Sequence, residues 1–333
     1  MKDNLLDVIK KYKDKHFIVI RPGGHYGDIL IYLGLEKMLW KMNLDFSLYE
    51  YKDRYNKFHH FYIKAIRKVN KLYNKIVVDH KDLLYHNFTF SIFNYYLPIL
   101  KVKFYKDHVI LIHGGGNVND LWGNGLRLLY MIIYHNPYST IIIAPQSYYF
   151  KYTNIKSLIG SFKGKLYLFC RERYSYLYLQ KMNLPKNIKV FLAHDTALYL
   201  TKHDFNIHTN SKYDLICFRE DKESVVPRFV KDMIIKFAWN PVVYDISIKA
   251  KSFSQFLKFV ANANVIYTDR LHVAILGYIF SKKVFLFPNK YWKIKGVYEY
   301  SLSKCQNIFF IDKYFLSKKG IIYLFNKKFT RSK

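Results

Sequence analysis

Short apolar runs rich in β-branched residues recur along this chain, separated by stretches with helical spacing of apolar positions. Phe17–Ile20, Ile76–Val78, Val109–Ile112, Ile141–Ile143 and Leu166–Phe169 read as buried strands, with Ile29–Trp40 and Leu126–Tyr134 as helices between them. A second series starts at Tyr213–Phe218 and continues through Val242–Tyr244, Val265–Thr268 and Val284–Phe287. Its helices are expected at Ser224–Phe237, Phe253–Ala261 and Leu271–Phe280. Ser252 and Gln255 are spaced as a capping box ahead of the middle one. Strands alternating with helices predict α/β units with parallel sheets.

The polar stretch Thr201–Lys212 divides the two series and has little to bury. It sets the expected boundary: two doubly wound α/β domains, residues 1–205 and 206–333, facing each other across a cleft. A chain of 333 residues that is 51% hydrophobic is long enough for two cores. Clefts between domains are common places for small-molecule sites.

Charge adds a constraint. Lys and Arg number 54 against 24 Asp and Glu, for a net +30, with the lysines scattered. Such a balance is expected of solvated lysines. It also suits acidic substrates, an anionic membrane surface or nucleic acid. No groove-reading or stacking motif is present, so specific nucleic-acid binding is not expected, while peripheral association with an anionic membrane stays open. Cys170, Cys217 and Cys305 are far apart and include no C-x-x-C pair, which argues for a reducing compartment and against a disulfide framework or structural zinc. Met1–His16 lacks the apolar core of a signal peptide, and the longest apolar stretch, Phe88–Leu100, is broken by Ser91, Asn94 and Pro98. A soluble, cytoplasmic protein is expected. His59-His60 has no spaced partner, and neither a metal-ligand cluster nor a Ser-His-Asp arrangement is legible, so no metal or cofactor is expected.

Candidate chemistry gathers where strands hand over to helices. Thr268-Asp269-Arg270-Leu271-His272 places a guanidinium and an imidazole at such a point, the usual location of an anionic ligand in an open α/β sheet. His113-Gly114-Gly115-Gly116-Asn117 follows another strand; it is either a flexible turn or a loop whose backbone approaches an anion or sugar closely. Asn119, Asp120 and Trp122 beyond it are groups that grip sugars. Gly23-Gly24-His25-Tyr26-Gly27-Asp28 opens a helix without a P-loop lysine, and Asp28 is either a helix-start carboxylate or a partner of a substrate hydroxyl. Gln146-Ser147 and Arg171-Glu172 end two further strands; Arg171 is a second anion clamp or half of a surface ion pair. His194-Asp195 is an acid/base couple or a helix cap.

In order, these segments resemble the polysaccharide pyruvyltransferase family over about Ile18 to Leu302. The matching blocks are Gly27-Asp28, Gly114-Gly115-Gly116-Asn117 with Asp120-Leu121-Trp122, Pro145-Gln146-Ser147, Arg171-Glu172 with Ser175, Asp195 with Ala197, Thr268–His272, and Asn289, Tyr291 and Lys293, with Tyr298-Glu299 beyond. The departures are His25 where an Asn is usual, His194 where a Pro is usual, and Pro288-Asn289-Lys290 before Tyr291. The resemblance implies a GT-B-like fold of two Rossmann-like domains, the first on the acceptor-sugar side and the second on the phosphoenolpyruvate side, with a helix over Lys313–Asn326 packing back on the first. It implies transfer of the enolpyruvyl group of phosphoenolpyruvate to a sugar, oligosaccharide or lipid-linked glycan as a cyclic ketal.

By that resemblance His272, Arg270 and Asp28 are catalytic, with His272 the acid or phosphate partner and Asp28 or Asp120 the base or acceptor anchor. Arg171, Lys293, Asn117, Asp120, Gly115, Gly116, Gln146, Ser147, Asn289 and Tyr291 contact substrate. The rival reading is a GT-B glycosyltransferase using a nucleotide sugar, with Glu299 or Glu220 toward the ribose.

Overall fold

The computed structural model describes residues 4–51, 107–119, 121, 124–150, 153–317 and 320. Ile76–Val78, His59-His60, Phe88–Leu100, Asp120 and Trp122 lie outside these residues. The helix expected over Lys313–Asn326 lies mostly outside them, and its described start, Lys313–Leu316, is one 3-10 turn.

Two parallel sheets with interleaved helices make an α/β fold. The first sheet comprises β1 (Phe17–Arg21), β2 (Phe46–Glu50), β3 (Val109–Ile112), β4 (Thr140–Gln146), β5 (Lys165–Cys170) and β6 (Ile188–Leu192), in the order β2-β1-β3-β4-β5-β6. The second comprises β7 (Tyr213–Cys217), β8 (Val242–Val243), β9 (Ala263–Thr268), β10 (Lys283–Leu286) and β11 (Ile308–Phe310), in the order β11-β10-β9-β7-β8. Both orders reverse beside their first strand, between β1 and β3 and between β7 and β9. Crevices at the carboxyl ends of strands beside such reversals are where open α/β sheets bind ligands.

Alternation along the strands explains why each sheet is covered twice. Ile18, Ile20, Ile110 and Ile112 enter one core cluster, while Phe17, Val19, Val109 and Leu111 enter another on the opposite face. The second sheet divides likewise, with Leu215, Cys217 and Ile266 on one face and Ile216, Phe218 and Tyr267 on the other. The edge strand β2 is not preceded by a sequence signal, because Leu48 and Tyr49 are exposed and no buried run marks it.

Among the helices, α1 is Asn4–Lys10, α2 Tyr26–Lys41, α3 Asn124–His135, α4 Ile155–Ile159, α5 Arg173–Gln180 and α6 Arg228–Phe237. They are followed by α7 (Ile246–Lys249), α8 (Phe253–Ala261), α9 (Leu271–Ile279) and α10 (Lys293–Val297). α6 starts four residues later than its apolar spacing suggests. Pro227 precedes it and disfavours helical backbone at the residue before. Ser224 instead pairs antiparallel with Asn289 and gives its hydroxyl to Asp269 at 2.9 Å. Ahead of α8 half of the capping box forms: Gln255 N–H reaches Ser252 Oγ at 3.1 Å, but Gln255 Oε1 receives Lys251 N–H at 2.6 Å instead of the N–H of Ser252.

α2 lies between β1 and β2 of the first sheet in sequence and packs also with the second. Leu30 shares a buried cluster with Leu271, Ala274 and Phe256, as do Ala197 and Leu200 from the segment after β6. Thr196 gives its hydroxyl to the Ile31 carbonyl at 2.9 Å.

Candidate functional site

A cavity of about 320 Å³ opens where the two strand reversals face one another. Gly23, Gly24, His25 and Asp28 line it from the turn after β1, Gly116 and Asn117 from after β3, and Arg171 from after β5. From the second sheet come Arg219 and Glu223 after β7, Ser247 of α7, Arg270 and His272 after β9, and Lys293 after β10.

The cations are held by carboxylates around them. Arg171, 1% exposed, gives Nε–H to Ser147 Oγ at 2.8 Å and Nη1–H to Asp195 Oδ2 at 2.7 Å. Arg270 binds Asp245 through Nε at 3.0 Å and through Nη2, which also lies 3.5 Å from Asp221. Arg219 binds Asp221 through Nε and Nη2, both at 2.9 Å, and Nη2 lies 3.4 Å from Glu223. Each guanidinium therefore keeps one terminal nitrogen without a partner among the described residues: Nη2 of Arg171, Nη1 of Arg219 and Nη1 of Arg270. All three arginines line the cavity, so these nitrogens are free to donate to a ligand there.

Asp28, Asp195, Asp221, Glu223 and Asp245 line or back the same space, so its formal charge is nearly balanced. What the arginines offer the cavity is directed N–H groups rather than net positive charge.

Asp195 also faces His272, whose Nε2 lies 3.4 Å from the same Oδ2 and 3.5 Å from Arg171 Nη1. Burial alone would raise the Asp195 carboxyl; His272, Arg171 and the Ala197 N–H together hold it well below the usual carboxylate range. Asp195 is thus both the cap of the turn Thr196–Tyr199 and the shared partner of two site residues. His194 is not its couple. That ring stacks on Tyr300 and meets Ser301 Oγ at 2.8 Å.

Lys293 and Glu223 form the other buried pair, 2.5 Å apart, and Glu223 also accepts from the Asn289 amide at 3.1 Å. Burial pulls Lys293 down to about 8, opposed by Glu223 and reinforced by Arg219 and Arg171.

Glycines let these parts meet. A Cβ on Gly27 would sit 2.9 Å from His272 Cβ, so the start of α2 touches the start of α9 only because residue 27 has none. A Cβ on Gly116 would sit 2.9 Å from Arg171 Nη2. Asp28 accepts His25 N–H at 2.9 Å through Oδ2, as a carboxylate in a first helical turn does.

The structure brings Asp28, Gly116, Asn117, Arg171, Arg270, His272 and Lys293 to the lining of one cavity. Gly115, Gln146, Ser147, Asn289 and Tyr291 stand behind it. Gly115 N–H goes to Pro145 O at 3.1 Å, and Ser147 Oγ serves Arg171. Gln146 gives Nε2–H to Asn117 Oδ1 at 3.0 Å, while its buried Oε1 and the Tyr291 hydroxyl have no partner among the described residues. Arg171-Glu172 is no surface pair: Glu172 is buried and caps α5 through Ser175 N–H at 2.8 Å. Asp269 is structural, accepting Arg219 N–H at 2.6 Å and the Ser224 hydroxyl.

Arg219, Glu223, Asp221 and Asp245 escape sequence reading, since charged residues in loops look like solvated surface. Glu299 pairs with Tyr174 and Glu220 with Lys249, and neither lines the cavity. Among the described residues no group of three His, Cys, Asp or Glu could hold a metal ion, and no helix is long and apolar enough to cross a membrane.

Two parallel sheets whose reversals share a cavity lined by preoriented guanidinium groups define an α/β protein. The chain belongs to the polysaccharide pyruvyl transferase family, whose model matches residues 25–291. That makes it a transferase of polysaccharide biosynthesis by family. Its fold is similar to the crystal structure of a functionally uncharacterized protein from Klebsiella pneumoniae subsp. pneumoniae NTUH-K2044. The TM-score is 0.61 and the identity 22%, over 94% of this chain and 100% of that one. A search of curated proteins finds no match.

Proposed function

We propose that this protein moves the enolpyruvyl group of phosphoenolpyruvate onto two hydroxyls of a glycan sugar, forming a cyclic pyruvate ketal, and that its sheets are the halves of a GT-B-like arrangement. The observation that supports this reading is the set of three buried guanidinium groups, each with one unpartnered Nη, drawn from both sheets around one cavity. Phosphoenolpyruvate carries a phosphate and a carboxylate on adjacent atoms, and guanidinium forks match both.

In this reading Arg171 and Arg270 grip the donor from opposite walls, and Arg219 and Lys293 complete the anion contacts. Protonation of the enol methylene leaves an oxocarbenium-like centre at C2. One sugar hydroxyl attacks it, the C2–O bond to phosphate breaks, and the neighbouring hydroxyl closes the ring. Proton transfer and stabilisation of the departing phosphate are all the chemistry needed. His272, backed by Asp195, protonates the leaving phosphate and takes the proton of the ring-closing hydroxyl. Asp28, whose Oδ1 has no partner among the described residues, receives a hydrogen bond from the acceptor sugar.

The experiment is incubation with phosphoenolpyruvate and a panel of glycosides, read as phosphate release by ³¹P NMR and a ketal methyl signal by ¹H NMR. Arg270→Ala and His272→Ala are expected to lose release while staying folded. Thermal stabilisation by UDP- or GDP-sugars, with phosphoenolpyruvate inert, would overturn the reading.

A further inference from the structure

The cavity holds two proton-bearing couples, and the reaction above assigns work to one of them. A point at the Cβ position of Gly116 lies 2.9 Å from Arg171 Nη2, 3.2 Å from Lys293 Cδ and 3.5 Å from the Tyr291 hydroxyl. Lys293, paired with Glu223, therefore stands beside the unpartnered Nη2 of Arg171. His272 and Asp195 stand beside the other terminal nitrogen, Nη1. This guanidinium thus has the His272 imidazole at one end and the Lys293 side chain near the other.

Pyruvyl transfer moves protons in two places. The methylene carbon gains one and the phosphate gains one, while two sugar hydroxyls lose one each. A guanidinium does not exchange protons at ordinary pH, so Arg171, Arg219 and Arg270 hold charge without carrying it. One histidine cannot serve both the carbon and the phosphate oxygen when they lie on different sides of C2.

Resting on the pyruvyl-transfer reading, we propose that Lys293 is the catalytic proton carrier for carbon, with Glu223 its positioning partner. The Lys293 ammonium protonates C3, turning the methylene into a methyl and leaving the electron deficiency at C2. The first hydroxyl bonds to C2 and its proton passes to the neutral amine, restoring the ammonium. Phosphate then leaves with its bonding pair and a proton from His272, and the second hydroxyl bonds to C2 and returns a proton to His272. Both couples end as they began.

The surroundings suit this role. Facing Lys293 are Glu223 and Arg219 from the loop after β7, Arg171 from after β5, and the Tyr291 ring, 5.2 Å from Nζ. Their balance with burial brings the ammonium to about 8, where it yields a proton far more readily than an exposed lysine does. The Tyr291 hydroxyl stays protonated, because burial pushes it well above its ordinary value. It is thus no competing base beside Lys293.

Calorimetry of phosphoenolpyruvate binding in buffers of different ionisation enthalpy gives a test free of acceptor. Wild type is expected to take up close to one proton at about pH 9, because a bound trianion raises Lys293. Glu223→Gln is expected to move that uptake to lower pH, since an anion beside the ammonium is lost. Absence of uptake by wild type overturns the proposal. Turnover with methyl hexopyranosides completes the test. Lys293→Arg keeps the charge, so its donor affinity is expected within several-fold of wild type while kcat falls about 100-fold or more. Unchanged kcat in Lys293→Arg overturns the carrier role. Failure of wild type to bind phosphoenolpyruvate overturns instead the pyruvyl-transfer reading beneath it.

Discussion

Asp195 Oδ2 lies 2.7 Å from Arg171 Nη1, with both side chains 1% exposed and supplied by the ends of neighbouring parallel strands. Removing one partner of a buried pair strands the other charge, at a cost of about 3–5 kcal/mol. Asp195→Ala is therefore expected to lower stability by that order and to weaken phosphoenolpyruvate binding, as urea unfolding and calorimetry would register.

The same carboxyl gives a pH prediction. Its folded value is depressed, so its contribution is present above the unfolded value near 3.8 and is lost as pH falls below it. Asp195→Asn should flatten the acid limb of stability. Chemical denaturation at about pH 3 and 6 checks the slope, and an unchanged acid limb would contradict the pairing.

Glu172 predicts the opposite slope. Burial raises its carboxyl from an ordinary value of 4.5 to about 7, despite the donors from Ser175 and the charge of Arg171. A raised carboxyl contributes stability below 4.5 that is lost as pH climbs through about 7. The stability difference between wild type and Glu172→Gln should thus shift in favour of the variant across that window. A difference independent of pH would refute it.

Gly27→Ala tests the contact between the starts of α2 and α9. The added methyl would sit 2.9 Å from His272 Cβ, so the imidazole or the helix must move. A shift of this size beside reacting groups commonly costs about 100-fold in rate. Phosphate release should fall far more than melting temperature, and a variant of full activity would dissociate His272 from the chemistry.

Much of the fold was legible because buried parallel strands must be apolar on both faces, as Val109–Ile112 is. β2 was not, since an exposed edge strand needs no apolar run. Arg171, Arg270, His272 and Lys293 were legible because strand ends followed by helices are where such sheets bind ligands. Their partners were harder to see. Asp195 and Asp245 lie 24 and 25 positions from the arginines they hold, and only strand order reveals that β5 adjoins β6. Glu223 sits within Arg219-Glu220-Asp221-Lys222-Glu223, a run indistinguishable by composition from solvated surface.

The burial of Leu30, Ala197 and Leu200 among side chains of the second sheet bears on how the molecule can be divided. Cutting near residue 205 would bare an oily seam on both fragments. Heating is expected to melt the intact chain in one cooperative step.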